Sequence, residues 1–151
     1  MLKIGDSAPE FVLKDQNEKE HSLSELIGKK VLLSFHPLAW TGICTDQMKM
    51  VDSHYDEFTA LNTTAFGVSI DTTFSKKAWA ESMEIKKLSL LSDFWPHGKL
   101  ACDLGIFREK NGFSERANII IDETGKIIFF KVYPIKLLPD LNEVLEFLKQ
   151  R

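Results

Sequence analysis

Val31-Leu32-Leu33-Ser34-Phe35-His36-Pro37-Leu38-Ala39-Trp40-Thr41-Gly42-Ile43-Cys44-Thr45 is the stretch on which the fold turns. Its first five residues are an almost unbroken apolar run, the pattern of a strand buried on both faces of a central sheet. Pro37, which has no amide proton for a sheet ladder, ends that strand. From Thr45 onward, Met48, Val51, Tyr55, Phe58 and Leu61 recur at steps of three and four, the period of an amphipathic helix. His36 to Ile43 is then a strand-to-helix loop, and Cys44 falls in the first turn of the helix.

The surrounding sequence repeats this alternation. Upstream, Phe11 to Lys14 and His21 to Leu23 flank the polar stretch Asp15 to Glu20 and predict a short N-terminal β-hairpin. Ser24 to Ile27, closed by Gly28, reads as one helical turn. Downstream, Thr64 to Ile70 predicts a strand, Thr72 to Met83 a helix with Trp79 on its apolar side, and Leu88 to Leu91 a further strand. The loop Phe94-Trp95-Pro96-His97-Gly98 leads into a short helix, Lys99 to Leu104, stopped by Gly105. Arg116 to Ile121 and Lys126 to Val132 bracket Asp122-Glu123-Thr124-Gly125, a hairpin signal. Leu138 to Leu148 closes the chain as a helix, with Pro139 in its first turn. The order predicts an α/β fold, a mixed sheet flanked by helices, over residues 1–151 as a single domain. Ligand chemistry in such sheets gathers at the carboxyl ends of buried strands, which points to the loop from His36 to Cys44.

The 151 residues carry 19 basic and 22 acidic side chains, for a net charge of −3. With 44% hydrophobic residues the chain can bury a core, and its acidic balance argues against nucleic-acid binding. No apolar run reaches membrane-spanning length and Met1 to Glu10 lacks a signal-peptide core, so a cytoplasmic location is expected. Two cysteines, Cys44 and Cys102, exclude a disulfide framework and a cysteine-only zinc site. Cys44, Cys102, His54 and His97 have no metal-ligand spacing.

Cys44 is the candidate nucleophile. At a helix N-terminus, unpaired amide protons and the positive end of the helix dipole stabilise a thiolate, the form that attacks electrophiles. Thr41 supplies a hydroxyl three residues earlier, Gly42 admits close backbone approach, and Pro37 is placed to shield the sulfur from bulk water. Position alone leaves an inert, buried thiol as the alternative.

The run Phe35 to Thr45 resembles the signature loop of the peroxiredoxins, Pro-x-x-x-Thr-x-x-Cys, here Pro37, Thr41 and Cys44. Gly5-Asp6-Ser7-Ala8-Pro9-Glu10-Phe11 resembles the family's opening and Gly67-Val68-Ser69-Ile70-Asp71 its next strand. Ser114 to Asp122 is similar to the segment that carries the family's active-site arginine, here Arg116. Leu91 to Gly98 is similar to the AhpE-like, one-cysteine branch. The resemblance implies a thioredoxin-like fold and reduction of hydrogen peroxide, organic hydroperoxides or peroxynitrite without a cofactor. It implies Cys44 as peroxidatic residue, Thr41 orienting the peroxide, Pro37 shielding the site and Arg116 activating it, with Gly42 and Ile43 also against substrate. It further implies an external thiol reductant of thioredoxin, glutaredoxin or low-molecular-weight type, and at least a homodimer.

Arginine is scarce, Arg108, Arg116 and Arg151 only, and its planar fork at a strand mouth does what lysine cannot. Cys102 reads as a packing thiol, with a resolving role by disulfide to Cys44 as the other option. His36 can hydrogen-bond near the thiolate or pack at the strand end. Gln47 stands where an acid is familiar in related sequences, although an amide can still bond to Arg116. Trp40, Phe74, Trp95 and Phe107 read as core, with subunit contact as the alternative. A thioredoxin-like disulfide oxidoreductase lacks its Cys-x-x-Cys pair here, while a peroxide sensor that reacts once per signal would need no turnover.

Overall fold

In the computed structural model, which describes residues 1–151, a hairpin of β1 (Val12–Lys14) and β2 (Glu20–Ser22) precedes a 3-10 turn at Ser24–Leu26. Then follow β3 (Lys30–Phe35), α1 (Gly42–Ser53), α2 (Tyr55–Ala60), β4 (Thr63–Ser69), α3 (Thr73–Met83), β5 (Ser89–Ser92) and α4 (Lys99–Leu104). A two-residue hairpin, β6 (Phe107–Arg108) with β7 (Phe113–Ser114), leads to β8 (Arg116–Ile121), β9 (Ile127–Tyr133) and α5 (Leu141–Lys149).

The central sheet runs β5-β4-β3-β8-β9, with β3, β4 and β5 parallel and β8 and β9 antiparallel to their neighbours. Because successive side chains on a strand face opposite ways, the sheet divides the core in two. Leu32, Ala65, Leu90 and Ile120 join Cys44, Met48, Trp79, Val144 and Leu148 on the face covered by α1, α2, α3 and α5. Val31, Leu33, Phe35, Phe66, Val68 and Ile119 join Leu100 and Leu104 of α4 on the other.

Two details seat α1 over the strand ends. A Cβ on Gly67 would stand 2.3 Å from Met48 Sδ and 2.8 Å from Leu90, so any larger residue there would push the Met48 and Leu90 side chains aside. The loop before the helix is pinned to α3 and the turn that precedes it: Asp71 Oδ2 accepts from the Ala39 amide at 2.9 Å, and Trp40 Nε1 donates to Ser75 Oγ at 3.0 Å. Trp40 itself sits at φ +73°, a strained conformation for a bulky residue, immediately before the helix.

Several expectations change. The helix expected from Thr45 through Leu61 begins at Gly42 and breaks at His54, whose Nδ1 lies 3.0 Å from the Met50 carbonyl. The apolar period survives the break because Phe58 of α2 enters the same core. Pro139 lies outside α5; Asp140 caps that helix, its carboxylate accepting from the Asn142 amide. The strands of β6 and β7 are too short to show a period. Trp40, Phe74 and Trp95 are not core: they are 55%, 80% and 79% exposed, and only Phe107 is partly buried. Cys102 is likewise not a packing thiol, because it lies on the outward face of α4, whose buried side is Leu100, Ala101 and Leu104.

Candidate active site

The antiparallel register of β3 and β8 assembles the site. Phe35 pairs with Ala117 and Ser34 with Asn118, so Arg116, the first residue of β8, lies at the carboxyl end of β3 where the chain leaves for α1. Residues alternate across each strand, so Arg116, Asn118 and Ile120 share one face, as do Leu32, Ser34 and His36. That face is the one under α1.

Pro37, Leu38, Thr41, Gly42, Ile43, Cys44 and Arg116 line one pocket of about 260 Å³, completed by Phe113, Ile135 and Lys136. Cys44 is at its floor with no exposed surface, and Pro37 beside it is buried. Since the amides of Gly42, Ile43 and Cys44 open α1, they have no intrahelical acceptor, and the helix dipole points its positive end at the sulfur.

The Arg116 guanidinium is fixed on every side. Its Nε and Nη2 donate to the Ile135 carbonyl at 3.0 and 2.8 Å, while Nη1 donates to Gln47 Oε1 at 2.7 Å and to Cys44 Sγ at 3.3 Å. Arg116 is 2% exposed and has no carboxylate within ion-pair distance. A buried cation held only by neutral dipoles is costly.

Gln47 continues the network inward. Its Nε2 donates to Ser34 Oγ at 2.8 Å and to the Phe35 carbonyl at 3.1 Å. Ser34 Oγ donates to Asn118 Oδ1 at 2.8 Å, Asn118 Nδ2 donates to the Tyr133 hydroxyl at 3.2 Å, and that hydroxyl donates to Glu143 at 2.5 Å. Burial, with the Glu143 carboxylate, raises the Tyr133 phenol well above its ordinary value, so it stays a donor. The amide at position 47 thus does one thing that a carboxylate cannot: it donates to Ser34 while accepting from Arg116.

Thr41 presents its oxygen in a defined sense. Its hydroxyl donates to the Leu38 carbonyl at 2.9 Å, leaving its lone pairs to accept from a ligand in the pocket. His36 makes no hydrogen bond near the sulfur; it is buried, both ring nitrogens lack partners, and its ring lies 5.2 Å from that of Trp79. Cys102 is remote from this arrangement, as α4 packs on the opposite face of the sheet from Cys44. The pocket wall of Phe113, Ile135 and Lys136 escaped the sequence reading, because it comes from short or irregular segments without periodicity.

The chain is similar to known proteins of one family. The family model described as AhpC/TSA family matches residues 4–130. Alkyl hydroperoxide reductase E of Mycobacterium tuberculosis is 38% identical over 130 residues, covering 85% of this chain and 84% of that protein. A peroxiredoxin of Ignicoccus hospitalis is 29% identical over 152 residues, covering 97% of this chain and 64% of its own length. Among solved structures, Enterococcus faecalis AhpC superposes with a TM-score of 0.90 at 25% identity, covering 99% of this chain and 92% of that one.

Gln47→Leu tests the network. It leaves Arg116 Nη1 with one acceptor fewer and Ser34 without its donor, and should cost about 2 kcal/mol in urea unfolding. Peroxide-driven loss of the Cys44 thiol should slow roughly tenfold as the guanidinium loosens; an unchanged rate would reduce Gln47 to a structural residue.

Proposed function

The chain belongs to the AhpC/TSA family, and on that premise we propose that Cys44 carries out a one-cysteine peroxidase cycle in the pocket it shares with Thr41 and Arg116. The protein is a peroxiredoxin, a thiol-dependent peroxidase. Its fold is thioredoxin-like, as in its structural neighbours. The observation that carries the site assignment is the Arg116 Nη1 to Cys44 Sγ contact at 3.3 Å.

In the proposed cycle the Cys44 thiolate attacks the terminal oxygen of a hydroperoxide. An S–O bond forms as the O–O bond breaks, and the electron pair leaves on the distal oxygen as hydroxide or alkoxide, which takes up a proton. Thr41 Oγ1 accepts from the peroxide's O–H, and the guanidinium with the free first-turn amides stabilises the charge moving between sulfur and leaving oxygen. The half-apolar wall of Leu38, Phe113 and Ile135 has room for an organic tail beside the small peroxide head. Pro37 keeps bulk water off the sulfur.

Sulfur is left as a sulfenic acid. An external thiol condenses with it, releasing water, and a second thiol exchanges onto that mixed disulfide to free Cys44. The placement of Cys102 across the sheet supports the external route over an internal disulfide. Reliance on a thiol reductant suits a reducing, cytoplasmic setting, and no helix of the chain is long and apolar enough to cross a membrane.

A homodimer is part of the same proposal. Val12, Phe74 and Trp95 are 59%, 80% and 79% exposed and border one surface hollow with Leu13 and Phe94, next to the loop that carries Trp40. That apolar patch suits a second copy of this chain. Sedimentation should give twice the chain mass, and Phe74→Glu should halve it; a monomer at micromolar concentration would contradict the assignment.

Intact mass after one equivalent of peroxide tests the cycle. A gain of one oxygen, absent in Cys44→Ser, is expected. Loss of two hydrogens within one chain would instead make Cys102 a resolving partner, and full peroxide consumption by Cys44→Ser would remove Cys44 from the reaction.

A further inference from the structure

Behind the site lies a pair of buried titratable groups that the proposed cycle does not use. Lys76 on α3 and His36 at the end of β3 are both 0% exposed, and neither Lys76 Nζ nor either imidazole nitrogen has a hydrogen-bond partner. A lysine buried without a partner is among the most costly arrangements in a core. Its position is fixed by Trp79, one turn further along the same face of α3. Trp79 Nε1 donates to Thr45 Oγ1 at 3.2 Å, next to Cys44, and the Trp79 ring packs on His36. That face of α3 therefore lies against the first turn of α1 and the end of β3.

We propose that Lys76 is a positioning residue for the peroxidase reaction, a buried ammonium on α3 whose field holds Cys44 in its reactive anionic form. The inference rests on Cys44 being the reacting thiol. The charged groups around Lys76 come from several elements. Burial pushes the ammonium down to about 7, while Asp71 after β4, the Cys44 thiolate of α1 and Asp93 after β5 pull it upward. His36, from β3, is driven well below its ordinary value by burial, then by Lys76 and then by Arg116, so it stays neutral and does not compete for the thiolate. Asp71 also holds the Ala39 amide, which ties the same charge cluster to the loop before Thr41.

Lys76→Met separates this role from packing. The unfolded chain binds more protons than the folded one from about pH 7 to 10.5, so this lysine lowers stability at neutral pH, and the penalty lifts as pH rises through that window. Lys76→Met should remove that slope and raise the urea midpoint at pH 7. At the same time the acid limb of single-turnover thiol oxidation by hydrogen peroxide should move up by about one pH unit, with roughly tenfold slower reaction below it. A more stable protein with an unmoved limb would overturn the proposal.

Should Lys76→Met fail to fold, the reciprocal measurement decides. The Lys76 ammonium, followed by nitrogen NMR, should titrate about one unit lower in Cys44→Ser than in the parent protein; an identical titration would refute the coupling. The two readings remain distinguishable. Peroxide turnover by Cys44→Ser would defeat the assignment of Cys44 itself, whereas an inactive Cys44→Ser with an unmoved limb in Lys76→Met would defeat only the role of Lys76.

Discussion

A buried guanidinium without a carboxylate is the constraint on which this structure depends. Arg116 spends Nε and Nη2 on the Ile135 carbonyl and shares Nη1 between Gln47 and the sulfur of Cys44. These contacts come from α1 and from the segment after β9, so the cation stays in place only when β8, α1 and that segment are all docked. The register Phe35 to Ala117 is what sets Arg116 against the exit of β3, and Gly67 leaves room for Met48 of α1 against β4. Fold and reactivity are two aspects of one packing arrangement.

The sheet face beneath α1 is unusually polar for a core. Ser34, His36, Arg116 and Asn118 take positions that the opposite face fills with Val31, Leu33, Phe35, Ala117 and Ile119. Most of that polarity is satisfied in a continuous path from Arg116 through Gln47, Ser34, Asn118 and Tyr133 to Glu143, which fixes rotamers around the guanidinium. His36 and Lys76 are the exceptions. Uncompensated buried groups are where a protein gives up stability. The strained backbone at Trp40 belongs to the same economy, for it turns the chain into α1 at the residue before Thr41.

The sheet was legible because its strands are long and apolar and its turns carry strong glycine and proline signals. The signature loop was legible because Pro37, Thr41 and Cys44 lie within eight residues of sequence. Gln47 was visible one helical turn after Cys44. What could not be read was anything made by pairing across the sheet: the Ile135 carbonyl, the Asn118 to Tyr133 bond and the pocket wall at Phe113 depend on register, not on local pattern. The break at His54 was hidden because two helices packing on one core preserve one apolar period. Phe74 and Trp95 depart from the core expectation because a hydrophobic side chain does not by itself imply burial. Lys76 did leave a signal, since it precedes Trp79 and Ala80 by three and four residues and so falls on the apolar stripe of α3.

The central claim is that a planar, multiply anchored cation activates the sulfur of Cys44. It is tested most directly by the second-order rate of Cys44 oxidation by hydrogen peroxide in Arg116→Lys, measured beside the parent protein and with folding checked by circular dichroism. Lysine keeps the charge but cannot hold the Ile135 carbonyl, Gln47 and the sulfur together, so the account predicts a fall of about a hundredfold or more with the fold retained. A folded variant reacting within a few-fold of the parent would show that charge alone suffices and would contradict the account.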